Sequence, residues 1–148
     1  MYENNGSESF TEHAISTSAY GAFSVYAADV DGDGDMDALS ASFNDDKIAW
    51  YENDGSENFT PDNIATCADG VRDVYTADVD GDGDMDVLSA SGNDDKIAWY
   101  ENDGRESFTE HAITTSADNA ISVYAAAVDG EGDMAVLSAS YGDDNIAW

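Results

Sequence analysis

The stretch Asp29-Val30-Asp31-Gly32-Asp33-Gly34-Asp35-Met36-Asp37 decides how this chain reads. It recurs unchanged as Asp78-Val79-Asp80-Gly81-Asp82-Gly83-Asp84-Met85-Asp86, 49 residues later. An altered copy, Ala127-Val128-Asp129-Gly130-Glu131-Gly132-Asp133-Met134-Ala135, follows after another 49. In the first two copies five carboxylates occupy alternate positions, with two glycines among them. Two unit charges about 4 Å apart repel by about 1 kcal/mol in water and about 4 kcal/mol near a protein surface. A hard cation that takes oxygen ligands in a flexible shell removes that cost, and Ca²⁺ is such an ion. The glycines permit the positive-φ backbone needed to wrap ligands around one point. The stretch is therefore a candidate calcium loop, with a solvated, metal-free turn as the plain alternative.

Working outward, the repeat divides the chain into residues 2–50, 51–99 and 100–148, three units without insertion that begin at Tyr2, Tyr51 and Tyr100. Each unit carries four short strand signals separated by turns and no helix-period stretch. In the first, Phe10–Ile15 mixes apolar and polar residues as an exposed edge strand does. Ser24–Val30 is almost continuously apolar or small, Ala38–Ser42 follows the acidic loop, and Lys47–Asn53 ends at the turn dipeptide Asp54-Gly55. The same pattern gives Asn58–Ile64, Asp73–Val79, Val87–Ser91 and Lys96–Asn102, then Ser107–Ile113, Ser122–Val128, Val136–Ser140 and Asn145–Trp148. Pro61 falls in an edge strand, the place in a sheet that tolerates it.

A four-stranded unit at this period is the pattern of a β-propeller blade, so the expected fold is all-β. The two-residue pleat sends Ile48 and Trp50 to one face and Ala49 and Tyr51 to the other. Trp50, Trp99 and Trp148 are expected between blades. Propellers have about 4–8 blades, so three do not close alone. Phe10–Ile15 lacks a parent sheet in its own unit, and Trp148 falls in the middle of a strand pattern. The expectation is a homodimer closing a six-bladed ring, with a fragment of a larger propeller as the alternative.

Charge and composition narrow the partners. The 148 residues hold 33 acids against four Lys and Arg, a net charge of −29. That balance argues against a nucleic-acid phosphate backbone and against an anionic membrane surface. Thirteen of the acids lie in the three loops, which explains much of the imbalance. Hydrophobic content of 42% separates the chain from disordered acidic sequences. Cys67 is the sole cysteine and aligns with Ser18 and Ser116, a poor pattern for a catalytic thiol. No apolar run approaches the length of a membrane helix, and the opening residues do not read as a signal peptide, which says little about export.

The acidic loops, the following Leu-Ser-Ala-Ser segments and the run Asn-Asp-Asp-Lys-Ile-Ala-Trp-Tyr-Glu-Asn-Asp-Gly resemble FG-GAP/VCBS-type repeats. That family forms integrin-α-like β-propellers in many exported bacterial proteins. The resemblance implies a Ca²⁺ in the hairpin between the first and second strands of a blade. Asp29, Asp31, Asp33 and Asp37 would be side-chain ligands in the first loop, with Asp35 giving its carbonyl. Asp78, Asp80, Asp82 and Asp86 would serve the second, with the Asp84 carbonyl. The third departs from the pattern, because Ala127 and Ala135 replace two ligands and leave Asp129, Glu131 and the Asp133 carbonyl; a weak or empty site is expected. An EF-hand fits less well, since Ser40 and Ser89 stand where a bidentate Glu belongs and strands flank the loop.

Three functions follow as expectations. The first is a non-catalytic, calcium-stabilised binding or scaffold module in an extracellular or periplasmic setting, with protein or glycan ligands. The second is a glycan-binding lectin that uses loop aromatics such as Tyr20, Phe43 and Tyr141. The third and weakest is a polysaccharide hydrolase or lyase. His13 and His111 are repeat-equivalent, with Asp62 in their place in the middle unit, and read as surface residues of outer strands. No nucleophile elbow, phosphate loop or zinc spacing occurs.

Overall fold

The computed structural model describes residues 1–130 and 132–148. Thirteen strands appear among them, and no helix. In chain order they are β1 (Tyr2–Asn4), β2 (Phe10–Glu12), β3 (Ala22–Ala28), β4 (Asp37–Ser42), β5 (Lys47–Asn53), β6 (Phe59–Ala65), β7 (Val71–Ala77), β8 (Asp86–Ser91), β9 (Lys96–Asn102), β10 (Phe108–Thr114), β11 (Ala120–Ala126), β12 (Ala135–Ser140) and β13 (Asn145–Ala147). Two complete antiparallel sheets run β3-β4-β5-β6 and β7-β8-β9-β10. A third has three strands, β11-β12-β13, and β1 pairs with β2 in a separate hairpin.

The sheets are thus out of phase with the 49-residue units: each complete sheet takes its outermost strand from the next unit. Within each sheet the inner strand is joined to its neighbour by the acidic loop, and the neighbour to the third strand by a tight turn. Asp46, Asp95 and Asp144 hold the left-handed position of these turns, at φ of 53°, 56° and 53°. The inner strands begin and end about two residues earlier than the apolar pattern suggests. The cause at the far end is local, because the side chain of Asp29 turns back onto the loop amides and takes no part in a strand.

The alternation read from Ile48 to Tyr51 is realised as inter-sheet packing. Ile48 and Trp50 join Leu39, Ala41, Val71, Val74, Val87 and Tyr100 in a core between the first and second sheets. Leu88, Ala90 and Ile97 face the other way and pack on Ala120, Val123 and Ala125 of the third. Ala49 and Tyr51 line the outer face of the first sheet with Ala38, where Ile15 and Phe59 cover them. Each sheet therefore buries both faces only by having a neighbour, the condition that makes repeat architectures cooperative.

The tryptophans divide. Trp50 is 1% exposed and meets Phe108 edge-on at 6.5 Å. Trp99 is half-buried and stacks on His111 at 4.7 Å. Trp148 is 75% exposed, against the expectation of core, because the strand that carries its counterpart's covering residues is absent from the third sheet. β2 also stops at Glu12, short of the expected Ile15, since its partner β1 begins only at Tyr2.

Polar contacts hold the inner strands together. Asp73 at the centre of β7 accepts hydrogen bonds from Ser24 Oγ (2.9 Å) on one side and Ser122 Oγ (2.8 Å) on the other. Arg72 reaches the other way, donating to Asn119 Oδ1 and the Ala120 carbonyl while its guanidinium lies over the Phe43 ring.

Candidate metal centre

Each acidic loop is the hairpin between the inner strand of a sheet and its neighbour, β3 to β4 and β7 to β8. Its backbone conformation is set by Gly32 (φ 77°) and Gly34 (φ 99°), repeated at Gly81 and Gly83. A Cβ on Gly34 would meet nothing within 4 Å, so space is not the reason for glycine there. The positive φ is, because a side chain at +99° strains the backbone whatever the room around it.

The carboxylates fall into distinct jobs. Asp29 accepts from the Gly32 amide at Oδ1 (2.8 Å) and from the Gly34 amide at Oδ2 (3.0 Å), which folds the loop back over its own start. Asp78 does the same with Gly81 and Gly83. Asp37 is buried and bridges two elements: Oδ2 takes the Val30 amide (3.0 Å) and Oδ1 the Asn53 amide (2.8 Å) at the end of β5. Asp86 repeats this with Val79 and Asn102, each at 2.9 Å. Asp37 and Asp86 therefore fasten the loop to the third strand of the sheet, a structural duty that their position in the motif alone does not disclose.

Asp29, Asp31 and Asp37 bring one oxygen each to within 4.8 Å of one another, and Asp78, Asp80 and Asp86 do likewise. Asp33 lies outside the first group, its Oδ1 accepting from the Asp35 amide (2.8 Å), with Asp82 and Asp84 arranged in the same way. The side chains of Asp35 and Asp84 stand over Gly55 and Gly104, where a Cβ would come within 2.4 Å of each carboxylate. In the third loop Asp129 and Asp133 are exposed, Ala127 and Ala135 offer no side-chain oxygen, and Glu131 lies outside the described residues.

Electrostatics match an all-oxygen cation site. The carboxyl of Asp31 is raised above its ordinary value, first by burial and then by the charges of Asp37, Asp33 and Asp29, against an opposing hydrogen bond from the Asp33 amide. Asp86 is raised chiefly by burial and further by Asp80, although the Asn102 and Val79 amides work to keep it ionised. Each group is thus a cluster of acids that repel one another while backbone amides hold their geometry. Three carboxylates fit a hard divalent ion, and among the described residues neither group includes a His or Cys to favour a softer one.

Asparagine side chains tie these loops to their surroundings. Asn53 Nδ2 donates to the Met36 carbonyl (3.1 Å) within the first sheet. Asn102 Nδ2 donates to the Met85 carbonyl (3.2 Å) and also to the Val30 carbonyl (3.2 Å), which belongs to the loop of the preceding sheet. The first two loops are thereby joined through one buried side chain. Sequence reasoning passed over Asn53 and Asn102 as strand ends; their recurrence in phase with the loop aspartates was the available signal.

Beside the loops, two repeat-related clefts open between neighbouring inner strands. The first, of about 560 Å³, is lined by Tyr26, Asp29, Met36, Tyr75 and Met85, among others. The second, of about 460 Å³, has Tyr75, Asp78, Met85 and Met134 in the corresponding places. Tyr26, Tyr75 and Tyr124 form a ladder with ring centroids 4.9 and 4.5 Å apart. The loop aromatics fall elsewhere: Tyr20 and Tyr141 are exposed, while Phe43 is half-buried beside Phe23 under Arg72. His13 pairs with Glu3 (3.1 Å) and His111 with Glu101 (2.7 Å) on the outer strands, away from both clefts.

A search of curated proteins gave no match. Among solved structures, that of an Agrocybe aegerita lectin, described for its specific recognition of non-reducing terminal N-acetylglucosamine, is similar in fold, with a TM-score of 0.64 at 20% identity. The alignment covers 93% of this chain and 40% of the lectin's chain, so the present sequence spans less than half of that neighbour. The likeness establishes a β-propeller-like arrangement of sheets. The pattern of FG-GAP-like repeats matches at residues 1–40, 29–89 and 78–138, overlapping copies that cover most of the sequence, and the chain belongs to the FG-GAP-like repeat family.

Proposed function

We propose that this chain is a non-catalytic binding module whose sheets are pinned by Ca²⁺ at the first two acidic loops. The observation that carries this reading is the convergence of Asp29, Asp31 and Asp37, and of Asp78, Asp80 and Asp86, within 4.8 Å. Asp29 and Asp78 shape the loop, Asp31 brings a carboxyl raised by burial and by its acidic neighbours, and Asp37 and Asp86 connect the loop to the third strand. Bound calcium supplies positive charge that cancels the repulsion. An ion that binds the folded form alone stabilises it by mass action. Calorimetric titration of chelator-treated protein should give two sites per chain. Identical melting curves in calcium and in excess EDTA would dispose of the metal reading. Sites of this kind suit the millimolar calcium of extracellular or periplasmic surroundings, which is the localisation we assign.

A glycan is a second ligand class for the same module. It is supported by the two repeat-related clefts, in which tyrosines and carboxylates stand beside apolar thioethers, and by fold similarity to a lectin. Titration with N-acetylglucosamine and a panel of oligosaccharides, followed by intrinsic fluorescence, distinguishes it from a protein-binding scaffold. A saturable response abolished by Tyr75→Ala supports the lectin reading, and a flat response across the panel removes it. Hydrolysis or elimination on polysaccharide is not proposed, since both histidines are engaged with glutamates on outer strands.

A further inference from the structure

The two clefts beside the acidic loops are continuous. Tyr75, Thr76 and Met85 line both, so the first runs into the second across the middle sheet. Each lies between sheets that pack on one another within this chain, the first on the second and the second on the third. Tyr75 stands at the junction, between the rings of Tyr26 (4.9 Å) and Tyr124 (4.5 Å). Met36 and Met85 add exposed thioethers, soft surface that accommodates varied apolar shapes.

The charged lining has one sign. Asp29 and Asp84 border the first cleft, and Asp78, Asp80 and Asp133 the second; among the described residues no Lys, Arg or His borders either. Cations of the chain are engaged elsewhere. Lys47 meets Asp45 (3.4 Å), Lys96 meets Asp94 (3.3 Å) and Glu110 (2.9 Å), and Arg72 donates to Asn119 and the Ala120 carbonyl. A divalent ion in each of the first two loops does not reverse the sign, because each loop carries five carboxylates. Asp84 lies outside the three carboxylates that converge in its loop, so its charge persists beside a bound ion.

We infer that the two clefts form one groove for a glucosamine oligosaccharide, a chain of sugars that each carry an ammonium group. The inference rests on the glycan reading above and narrows it. Apolar faces of the sugar rings pack on tyrosine and thioether surface, while the ammonium groups meet carboxylates and the negative faces of the tyrosine rings. Glycans bearing carboxylate or sulfate are repelled by the same lining. Continuity through Tyr75 selects an oligomer, because a chain seated in the first cleft presents its next sugars to the second at high effective concentration. A lysine peptide carries the same charge without a ring to lie on the tyrosines, and is the contrast that separates groove from charge.

The test is calorimetric titration of the full chain in calcium at mildly acidic pH, where the sugar amines hold their protons. A glucosamine tetrasaccharide is expected to bind at least about tenfold tighter than an N-acetylglucosamine tetrasaccharide at low salt, with the advantage shrinking as salt screens it. It should also bind at least about tenfold tighter than the glucosamine monosaccharide. Asp84→Asn removes a groove charge while keeping the Asp82 contact to the residue 84 amide, and should weaken the charged tetrasaccharide by about threefold or more while sparing the N-acetyl form. Glu12→Gln, on β2 and lining neither cleft, should change neither affinity. Equal affinity for the two tetrasaccharides, or no gain with chain length, overturns the inference and leaves the glycan reading standing. Absence of binding by both tetrasaccharides removes the glycan reading as well. A lysine tetrapeptide that binds as tightly as the charged sugar, or indifference to Asp84→Asn, means that only the overall charge of the chain is read, and overturns the groove.

Discussion

The second sheet and the third are built from nearly the same sequence and end in different states. In the second, Asp86 anchors the acidic loop to the Val79 and Asn102 amides, and Ile97 and Tyr100 are buried. In the third, Ala135 replaces the anchor, the strand after β12 is three residues long, and Ile146 is exposed. β11 and β12 nevertheless pair in the same register as β7 and β8, bulge included. The ladder between the first two strands thus forms without the anchoring aspartate. What the aspartate adds is the tie from loop to third strand and the third oxygen of the candidate ion site.

The largest effect expected from that contrast is on calcium dependence. A ligand at about 100 times its dissociation constant stabilises the folded state by about 2.7 kcal/mol per site. Two occupied loops then raise Tm by on the order of 10–20 °C for a domain of this size. Scanning calorimetry in calcium and in EDTA measures the difference. Asp29→Ala with Asp78→Ala should abolish it, while Asp129→Ala should leave it nearly whole. The comparison can also be reversed. Ala127→Asp, Ala135→Asp and Glu131→Asp together rebuild the third loop on the pattern of the second, and calorimetric stoichiometry should rise from two ions to three. Stoichiometry fixed at two would mean that the loop needs the completed third strand as well as its aspartates.

Next in size is the anchor itself, tested without metal. Asp86→Ala leaves the amides of Val79 and Asn102 without their acceptor. A buried donor left unpaired costs about 1–3 kcal/mol. A loss of about 2–5 kcal/mol in EDTA is expected by denaturant titration, against a few tenths for Asp129→Ala on the exposed third loop. Equal effects at the two positions would show that the loop-to-strand tie carries no stability of its own.

How much of this was readable beforehand differs by level. The strand order, the two-faced alternation and the grouping of Asp29, Asp31 and Asp37 follow from local pattern, because pleat and turn chemistry act over a few residues. Trp148 was misjudged, since a side chain's burial depends on a strand far away in sequence, and position in the repeat does not report whether that strand is present. Asp33 is expected among the ligands but lies outside the three carboxylates that converge, and its Oδ1 accepts from the Asp35 amide as that of Asp31 does from the Asp33 amide. The reach of Asn102 to the Val30 carbonyl, 72 residues away, is a tertiary fact without a local trace. It also separates two otherwise equal positions. Asn102→Ala should cost about 1–2 kcal/mol more than Asn53→Ala, because a buried and a half-buried carbonyl lose their donor instead of one exposed carbonyl. It should also weaken the thermodynamic coupling between calcium binding at the first and second loops, measured by a double-mutant cycle with Asp29→Ala.

The smallest effect, and the one most sensitive to sign, is the pH dependence of the metal-free protein. Asp31 and Asp86 are raised from 3.8 in the folded state. Between 3.8 and their raised values the folded chain binds more protons than the unfolded chain, so their contribution falls as pH rises through that window. Asp54 is lowered from 3.8, chiefly by the Asn58 side chain and then by the Ser56 amide. Its contribution is present above 3.8 and is lost as pH falls below it. The two windows do not overlap, so the combined contribution of these three carboxyls is greatest near 3.8 and falls on both sides. Asp31→Asn should lessen the slope above 3.8, leaving the share of Asp86, and should not change the acid side. Calcium reverses the neutral slope, because an ion that needs ionised carboxylates competes with protons and binds better as pH rises. Thermal melts from pH 3 to 7 read both slopes. A metal-free stability that climbs steadily toward neutral pH would show that burial and mutual repulsion do not hold these carboxyls above their ordinary value.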